Sequence, residues 1–480
     1  MSLLQTTLEL WPHEAYELLH TKGISSKKLR RLFNEVLFPW DESYDKERML
    51  FSLQIQERPL FIVKARNRKE IEAALNLMFE HQLTMRIVGG RHSTLLAAPD
   101  FFLDISRFQH MHLDEKAALL TVGGGATQGA VNDFLFAKDP HYHFHGARPR
   151  HPFSHIFPGG TAATVGVAGI TSAGGIGTLR RSLGLTIDTV TSFTIAVPPK
   201  SPNEKARTLI ASSKEHPDLF WALRGGGAFN FGVVIEITYR VTKINRVLLY
   251  TVDWKQPSQD IVALWLRTAP KRPCNYNEDL SLSVNQGKFT LALTGLYLLN
   301  NDENEKEARR CIATELAPLE GSLTIQPCQP YAHIYRKFVQ ERIYHSFSRA
   351  RTFLALQAEI DLELLWKFME QAQRLHGNSY IGFQLMGGAI REVTPSATAF
   401  YPREASFFVD IFSFWDNVKY SEENEAWNKN FYGAFYSTLG PYIYLGFPEK
   451  LGDYYGSNRT RLFDIKKRYD PLHLLCGTLE

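Results

Sequence analysis

The 480-residue chain carries 54 Lys and Arg against 50 Asp and Glu, a formal net charge of +4, with 44% hydrophobic and 22% charged residues. That is soluble globular composition, long enough for two or three domains, and no consecutive basic run exceeds Lys466-Lys467-Arg468, which argues against nucleic acid and for small molecules as partners. Cys274, Cys311, Cys328 and Cys476 lack CxxC spacing and read as free thiols, and no basic-then-apolar leader or stretch of ~18 apolar residues occurs, so the expectation is a cytoplasmic or already processed protein with no membrane partner.

Residues 1–35 read as a helical extension, with Ser25-Ser26-Lys27-Lys28 starting its second helix. A strand at 60–65 runs into Asn67, a helix cap with Glu70 closing a capping box, and Ile71, Ala74, Leu75, Met78 and Phe79 follow the i, i+3, i+4 rule. The next strand, 85–88, completes a strand, helix, strand unit. Neither GxGxxG after the first strand nor GxxxxGK[ST] anywhere is present, so this is not a simple Rossmann or P-loop fold.

After strand 85–88 the chain reads Gly89-Gly90-Arg91-His92-Ser93. The glycines permit a tight turn that brings backbone N–H groups close to a ligand such as a phosphate. His92 is nucleophilic enough to carry a covalent bond, and equally able to be a loop histidine satisfied by hydrogen bonds. Strands are expected at 101–105 and 118–122, the latter running into Gly123-Gly124-Gly125. His141, His143 and His145 would share one strand face, with His151 and His155 beyond. Without an acidic partner or ligand spacing they predict a polar strand or loop, and no metal site is expected.

Residues 158–190 hold eight glycines interleaved with Val, Ile and Leu. A flexible spacer would lack those aliphatics, so the pattern predicts backbone packed against something flat or extended, as in a ligand channel. A further cluster, Gly225-Gly226-Gly227, leads from a helix into a strand. Alternating runs at 279–284 and 288–297, joined at Asn285-Gln286-Gly287, predict a hairpin. Amphipathic helices surround it, giving an antiparallel sheet with helices on one face.

Taken in order, Arg86 to Ser93, PGGTAATVGVAG at 158–169, GGIGTLRRSLGLTIDTV at 174–190, DLFWALRGGGAFNFGVV at 218–234 and YYGSN at 454–458 followed by KKRYDP at 466–471 resemble the FAD-linked oxidases of the vanillyl-alcohol oxidase and p-cresol methylhydroxylase superfamily. The likeness is to the branch of berberine-bridge enzyme and glucooligosaccharide oxidase, and runs from about residue 36 to the end. It implies an α+β fold: a two-subdomain FAD-binding domain at 36–243, a substrate domain at 244–444 and a segment at 445–480 that returns to the first.

The resemblance implies covalent attachment of the flavin 8α-methyl to His92. The cysteine of the family's second link is Ala162 here, in Ala162-Ala163, so no cysteinyl bond is expected, and Arg91 stands where a glycine usually precedes the histidine. Arg91 is an alternative partner for a phosphate or substrate group. The implied FAD contacts are Arg86, Gly89, Gly90, Arg91 and Ser93, then Gly159, Gly160, Thr161, Val165 and Gly166. Gly174, Gly175, Gly177, Val190, Gly232, Val233, Tyr455 and Asn458 complete the set.

Flavin oxidation of an alcohol needs a base for the hydroxyl proton. The resemblance points to Tyr442, aligned with the leading tyrosine of a Tyr-x-Asn-Tyr strand, and to Asp410, a carboxylate among Phe407, Phe408, Ile411, Phe412 and Phe414, where burial is costly unless the group is paired or functional. Val165, three residues after Ala162, takes the place where valine marks oxidases and leucine dehydrogenases. The expected function is oxidation of a sugar, aromatic or polyketide-type hydroxyl, with O2 as acceptor and hydrogen peroxide as product. A dehydrogenase using another acceptor and a non-catalytic flavin-bearing binding protein are the alternatives.

Overall fold

The computed structural model describes residues 3–95, 97–137, 154–227, 229–244, 247–299, 303–329, 331, 334–335, 346–357, 359–445, 447 and 453–479. The first sheet has four strands, β1 (Val36–Leu37), β2 (Phe61–Lys64), β3 (Met85–Val88) and β4 (Phe101–Asp104), in the order β1-β2-β4-β3. β4 is parallel to both neighbours, and its buried neighbours are apolar almost throughout, as parallel strands covered on both faces must be.

The helix Arg68–Glu80 links β2 to β3 and buries Ile71, Ala74, Leu75 and Met78, each large apolar side chain contributing roughly 1.5–3 kcal/mol. Asn67 caps it, accepting from Glu70 N at 3.1 Å. The expected reciprocal bond is replaced: the Glu70 carboxylate accepts from Arg66 N at 2.7 Å and Asn34 N at 2.9 Å. The segment read as an extension is part of this core. Its helices Leu3–Thr21 and Ser26–Leu32 supply Ala15, Leu19 and Leu29 to it.

The second region comprises β5 (Met111–Asp114), β6 (Leu119–Gly123), β7 (Ser154–Ile156), β8 (Val190–Val197), β9 (Arg207–Ser212), β10 (Val233–Arg240) and β11 (Thr242–Ile244). Five of these form an antiparallel sheet in the order β5-β6-β10-β8-β9, and β7 and β11 form a separate ribbon. His155 lies on β7. The other members of the histidine cluster, His141 to His151, lie outside the described residues.

The third sheet is built from β12 (Val247–Asp253), β13 (Tyr276–Asn285), β14 (Lys288–Leu298), β15 (Ser322–Ile325), β16 (Phe347–Ala355), β17 (Asn378–Leu385) and β18 (Phe407–Trp415), in the order β15-β12-β14-β13-β17-β18-β16. All its pairings are antiparallel. The β13–β14 hairpin turns at Gln286 and Gly287, with φ of 49° and 75°, the two positive values of a type I′ turn.

Helices cover one face of this sheet: Trp265, Phe368, Phe431 and Phe435 pack on Leu282, Phe383, Phe407 and Ile411. Because side chains alternate along a strand, Ser348, Ala350, Gln384, Phe408, Asp410 and Phe412 face the other way, into a cavity. Two buried arginines of the glycine-rich segment fix that face against the rest of the chain. Arg180 donates to Leu385 O and Glu278 O, both at 2.9 Å, and Arg181 to Arg272 O at 2.7 Å and Tyr276 O at 3.1 Å. Among the described residues, no helix is long and apolar enough to cross a membrane.

Candidate active site

β3 leaves its sheet at Gly89-Gly90, and here glycine is required by contact. A Cβ on Gly90 would collide with the backbone at Gly166 and lie 2.7 Å from Thr164 O, so the His92 loop and the loop at 164–166 cross with no room between them. Arg91 then adopts φ +62°, a left-handed conformation uncommon for a residue with a side chain. Its guanidinium pairs with Asp104 and with Glu47 at 3.3 Å. Those carboxylates hold the charge that sequence reasoning offered to a phosphate or substrate, while Arg91 itself borders the cavity.

The His92 imidazole is held on two sides: Nε2 lies 2.7 Å from Thr164 Oγ1, and the ring stacks on Phe51 with centroids 4.4 Å apart. Arg86 works behind the loop. Its buried guanidinium pairs with Glu57 and donates to Leu95 O at 2.9 Å and Ser93 O at 3.4 Å, while Glu57 accepts from Ala97 N at 2.9 Å. Burial pushes the Glu57 carboxyl up and the Arg86 guanidinium down, each opposed by the attraction of the other. The pair is a clasp for loop 93–97.

Gln128 fastens the next wall. Its Oε1 accepts from Gly160 N, its backbone N donates to Val165 O at 3.0 Å, and Gly129 N donates to Ala163 O at 2.8 Å. Gly160, Thr161, Val165 and Gly166 line the cavity. Gly159, Gly174, Gly175, Gly177, Val190, Gly232 and Val233 do not line it. Gly175, at φ +77°, donates its N–H to Tyr444 OH at 3.3 Å. Tyr455 and Asn458 do not line the cavity either: Tyr455 OH donates to Gly226 O at 3.3 Å, and Asn458 Nδ2 to Pro395 O at 2.8 Å and Thr398 O at 3.2 Å. They moor the returning segment.

The cavity encloses about 1640 Å³ of empty space including its open mouth. Asp410 reaches it from β18 with only 6% exposure. Tyr444 and Phe447 enter from the returning segment. The Tyr444 ring meets Phe408 edge-on at 5.4 Å, its N donates to Thr352 Oγ1 at 3.1 Å, and burial pushes its phenol up to about 12. Tyr442 does not line the cavity. It is half-buried against Tyr401, 5.6 Å between centroids, and its phenol is raised first by burial and then by that neighbour.

Sequence reasoning missed Phe51, Gln128, Thr164, Tyr444 and Thr478. Gln128, Phe51 and Thr478 carry no local pattern, whereas Tyr444 does: it stands two residues after Tyr442, so a two-residue shift of register brings it to the place of the leading tyrosine. An FAD fits the residues present. Gly169 borders the cavity, yet a Cβ there would meet no protein atom within 4 Å, so backbone and ligand can approach closely on that side.

Comparison with known proteins places this fold and cavity among the FAD-linked oxidoreductases. Residues 59–199 match the FAD binding domain family and residues 447–476 the berberine and berberine-like family. The FAD-linked oxidoreductase YgaK of Bacillus subtilis is 26% identical over 443 residues, covering 90% of this chain and 93% of the relative. A xylooligosaccharide oxidase of Thermothelomyces thermophilus is 25% identical over 463 residues, covering 88% and 87%. Among solved structures, the gilvocarcin-pathway oxidoreductase GilR with pregilvocarcin superposes with TM-score 0.78 at 19% identity, covering 92% of this chain and 98% of that one. Chitooligosaccharide oxidase superposes with TM-score 0.76 at 18% identity, covering 92% and 95%. The chain is an FAD-linked oxidoreductase that carries an FAD binding domain and, at 447–476, a berberine-like segment.

Proposed function

We propose that the protein oxidises the CH–OH group of a small-molecule alcohol, with residues 36–243 and 445–480 holding FAD and residues 244–444 holding the substrate. The observation that carries this reading is the Asp410 carboxylate, 6% exposed between Phe408 and Phe412 in the cavity that also contains the His92 loop. A desolvated carboxylate in a cleft is costly unless it is paired or functional, and this one stands in the same cavity as the His92 loop. FAD, when bound, would supply the hydride acceptor, with O2 as the final acceptor and hydrogen peroxide as product. Asp410 takes the hydroxyl proton, so the alcohol leaves as a carbonyl compound.

His92 is the attachment point for the flavin in this reading, supported by the Phe51 stack and the Thr164 hydrogen bond that hold its ring, with no cysteinyl link because position 162 is alanine. The tyrosine role moves from Tyr442 to Tyr444, which lines the cavity. With its phenol pushed up to about 12, Tyr444 orients ligand as a neutral donor and Asp410 alone is the base. Two comparisons, oxidases named for xylooligosaccharide and chitooligosaccharide, support a hydroxyl as the reacting group.

The test is a panel of alcohols, sugar and aromatic, mixed anaerobically with the holoenzyme while the flavin absorbance is followed, then exposed to air. Bleaching by one of them, followed by recovery with stoichiometric peroxide, is the expected result. No bleaching by any alcohol would sink the reading. Val165 lines the cavity and is one carbon shorter than leucine, so Val165→Leu should slow the recovery in air by ~10-fold or more while leaving anaerobic bleaching alone, because it fills space beside the oxygen path. Slow wild-type recovery unaffected by that change would favour a dehydrogenase.

A further inference from the structure

Position 382 is a glycine in the middle of β17, with β13 on one side and β18 on the other, where it pairs with Ser281 and Asp410. An interior strand is a poor place for glycine, which packs nothing and loses the most backbone freedom. Its φ is not in the left-handed region, so the conformation does not demand it. Space does. A Cβ at 382 would collide with both Asp410 Oδ1 and Tyr380 OH, and would lie 2.7 Å from Tyr380 Cζ.

Tyr380 sits two residues earlier on the same face of β17. Side chains normally stand off a sheet, but this ring lies along the strand over Gly382, with Phe412 beside it at 6.3 Å between centroids. Its phenol and the Asp410 carboxylate converge on one point. On the far side of Asp410 the strand partner is Thr352, whose Oγ1 is already engaged by Tyr444 N at 3.1 Å.

We propose that Tyr380 is a positioning residue for the reaction: its O–H, which converges with Asp410 Oδ1 over Gly382, turns onto that oxygen as substrate binds, keeps the carboxylate ionised within an aromatic wall, and leaves the second oxygen for the substrate proton. Gly382 is the space in which the pair forms. Burial between Phe408 and Phe412 favours the neutral acid, and a hydrogen bond to the charged form opposes that. The inference rests on Asp410 being the base. Other titratable groups bordering the same cavity are Tyr444, His92, Arg86 and Arg91. Arg86 and Arg91 pair with Glu57, Glu47 and Asp104. Arg349 and Arg351 of β16 alternate with the cavity-lining residues and turn to the helix Ser421–Leu439, Arg349 3.7 Å from Glu425 and Arg351 2.7 Å from Asn428 Oδ1. Among the described residues, Tyr380 is the titratable group that converges on Asp410.

Sulfite is the probe, because it adds to oxidised flavin, bleaches its visible band, and adds less readily beside an ionised carboxylate. Its affinity is measured against pH on wild-type, D410N and Y380F holoenzyme, with D410N supplying the titration of sulfite itself. The wild type should show a step that D410N lacks, and Y380F should move that step upward by about one pH unit, the size of one charge-assisted hydrogen bond. The acid limb of anaerobic reduction by the alcohol found in the panel should move the same way. A Y380F step coincident with the wild-type step overturns the role of Tyr380 alone. Indistinguishable wild-type and D410N curves overturn Asp410 as the base.

Discussion

The wall made by residues 86–95 and 160–176 is held by backbone meeting backbone, whereas the wall made by β16, β17 and β18 is shaped by the side chains that alternate off a sheet. On the first wall Gly90 abuts Gly166, Gly124 abuts Val234, and Gln128 clasps Gly160. On the second, Ser348, Gln384 and Asp410 stand among Phe408 and Phe412 over a regular antiparallel ladder. A cofactor shared by a family demands the first kind of wall, because close approach leaves one solution in sequence. A substrate that varies is served by the second kind, where a residue can change without moving the strand.

The comparison breaks most sharply at His92. His92→Ala should lose all acid-stable flavin, read as in-gel fluorescence after denaturation. Wild-type protein that releases its whole flavin on denaturation would remove the covalent link and leave His92 a loop histidine packed on Phe51. On the opposite wall, Asp410→Asn should keep the flavin and slow its anaerobic reduction by ~100-fold or more, the scale of a lost general base. Reduction at the wild-type rate would make Asp410 structural.

Gly90→Ala tests the backbone wall. The added Cβ would press on Gly166 and Thr164 main-chain atoms, which cannot rotate aside as a side chain does, so destabilisation of roughly 1–3 kcal/mol is expected, with a lower flavin content. Ala350→Val, on the side-chain wall, should cost less stability and change which alcohols reduce the flavin. Thermal unfolding of the two variants side by side gives the answer. Equal losses would mean that the two walls do not differ in kind.

The same contrast explains what the sequence revealed. Glycine spacing at 89–90, 158–177 and 225–232 announces close backbone packing, and the period-2 runs at 279–284 and 288–297 announce a hairpin, so the layers and the His92 loop were legible. Contacts made by ordinary residues at long range were not. Gln128 looks like any helix glutamine until Gly160 is brought to it, and Glu70 turned to Arg66 and Asn34, because Asn34 arrives from a preceding segment that the capping pattern does not include. Arg91 read as an available cation because Glu47 and Asp104 are 44 and 13 residues away.

The smallest expected effect separates two tyrosines two residues apart. Tyr444 is buried in the cavity wall and accepts Gly175 N–H at 3.3 Å, so Tyr444→Phe leaves that buried donor without its partner, at about 1–3 kcal/mol of stability. Because burial already holds its phenol near 12, the hydroxyl stays protonated over the working range. Its loss should slow reduction by ~10-fold or less and leave the pH profile in place. Tyr442 packs outside the cavity against Tyr401 and is half-buried, so Tyr442→Phe should keep the reduction rate within about twofold and the unfolding free energy within about 0.5 kcal/mol of wild type, as surface changes do. A 100-fold loss in Tyr442→Phe with Tyr444→Phe near wild type would reverse the assignment and restore the register that puts Tyr442 at the flavin.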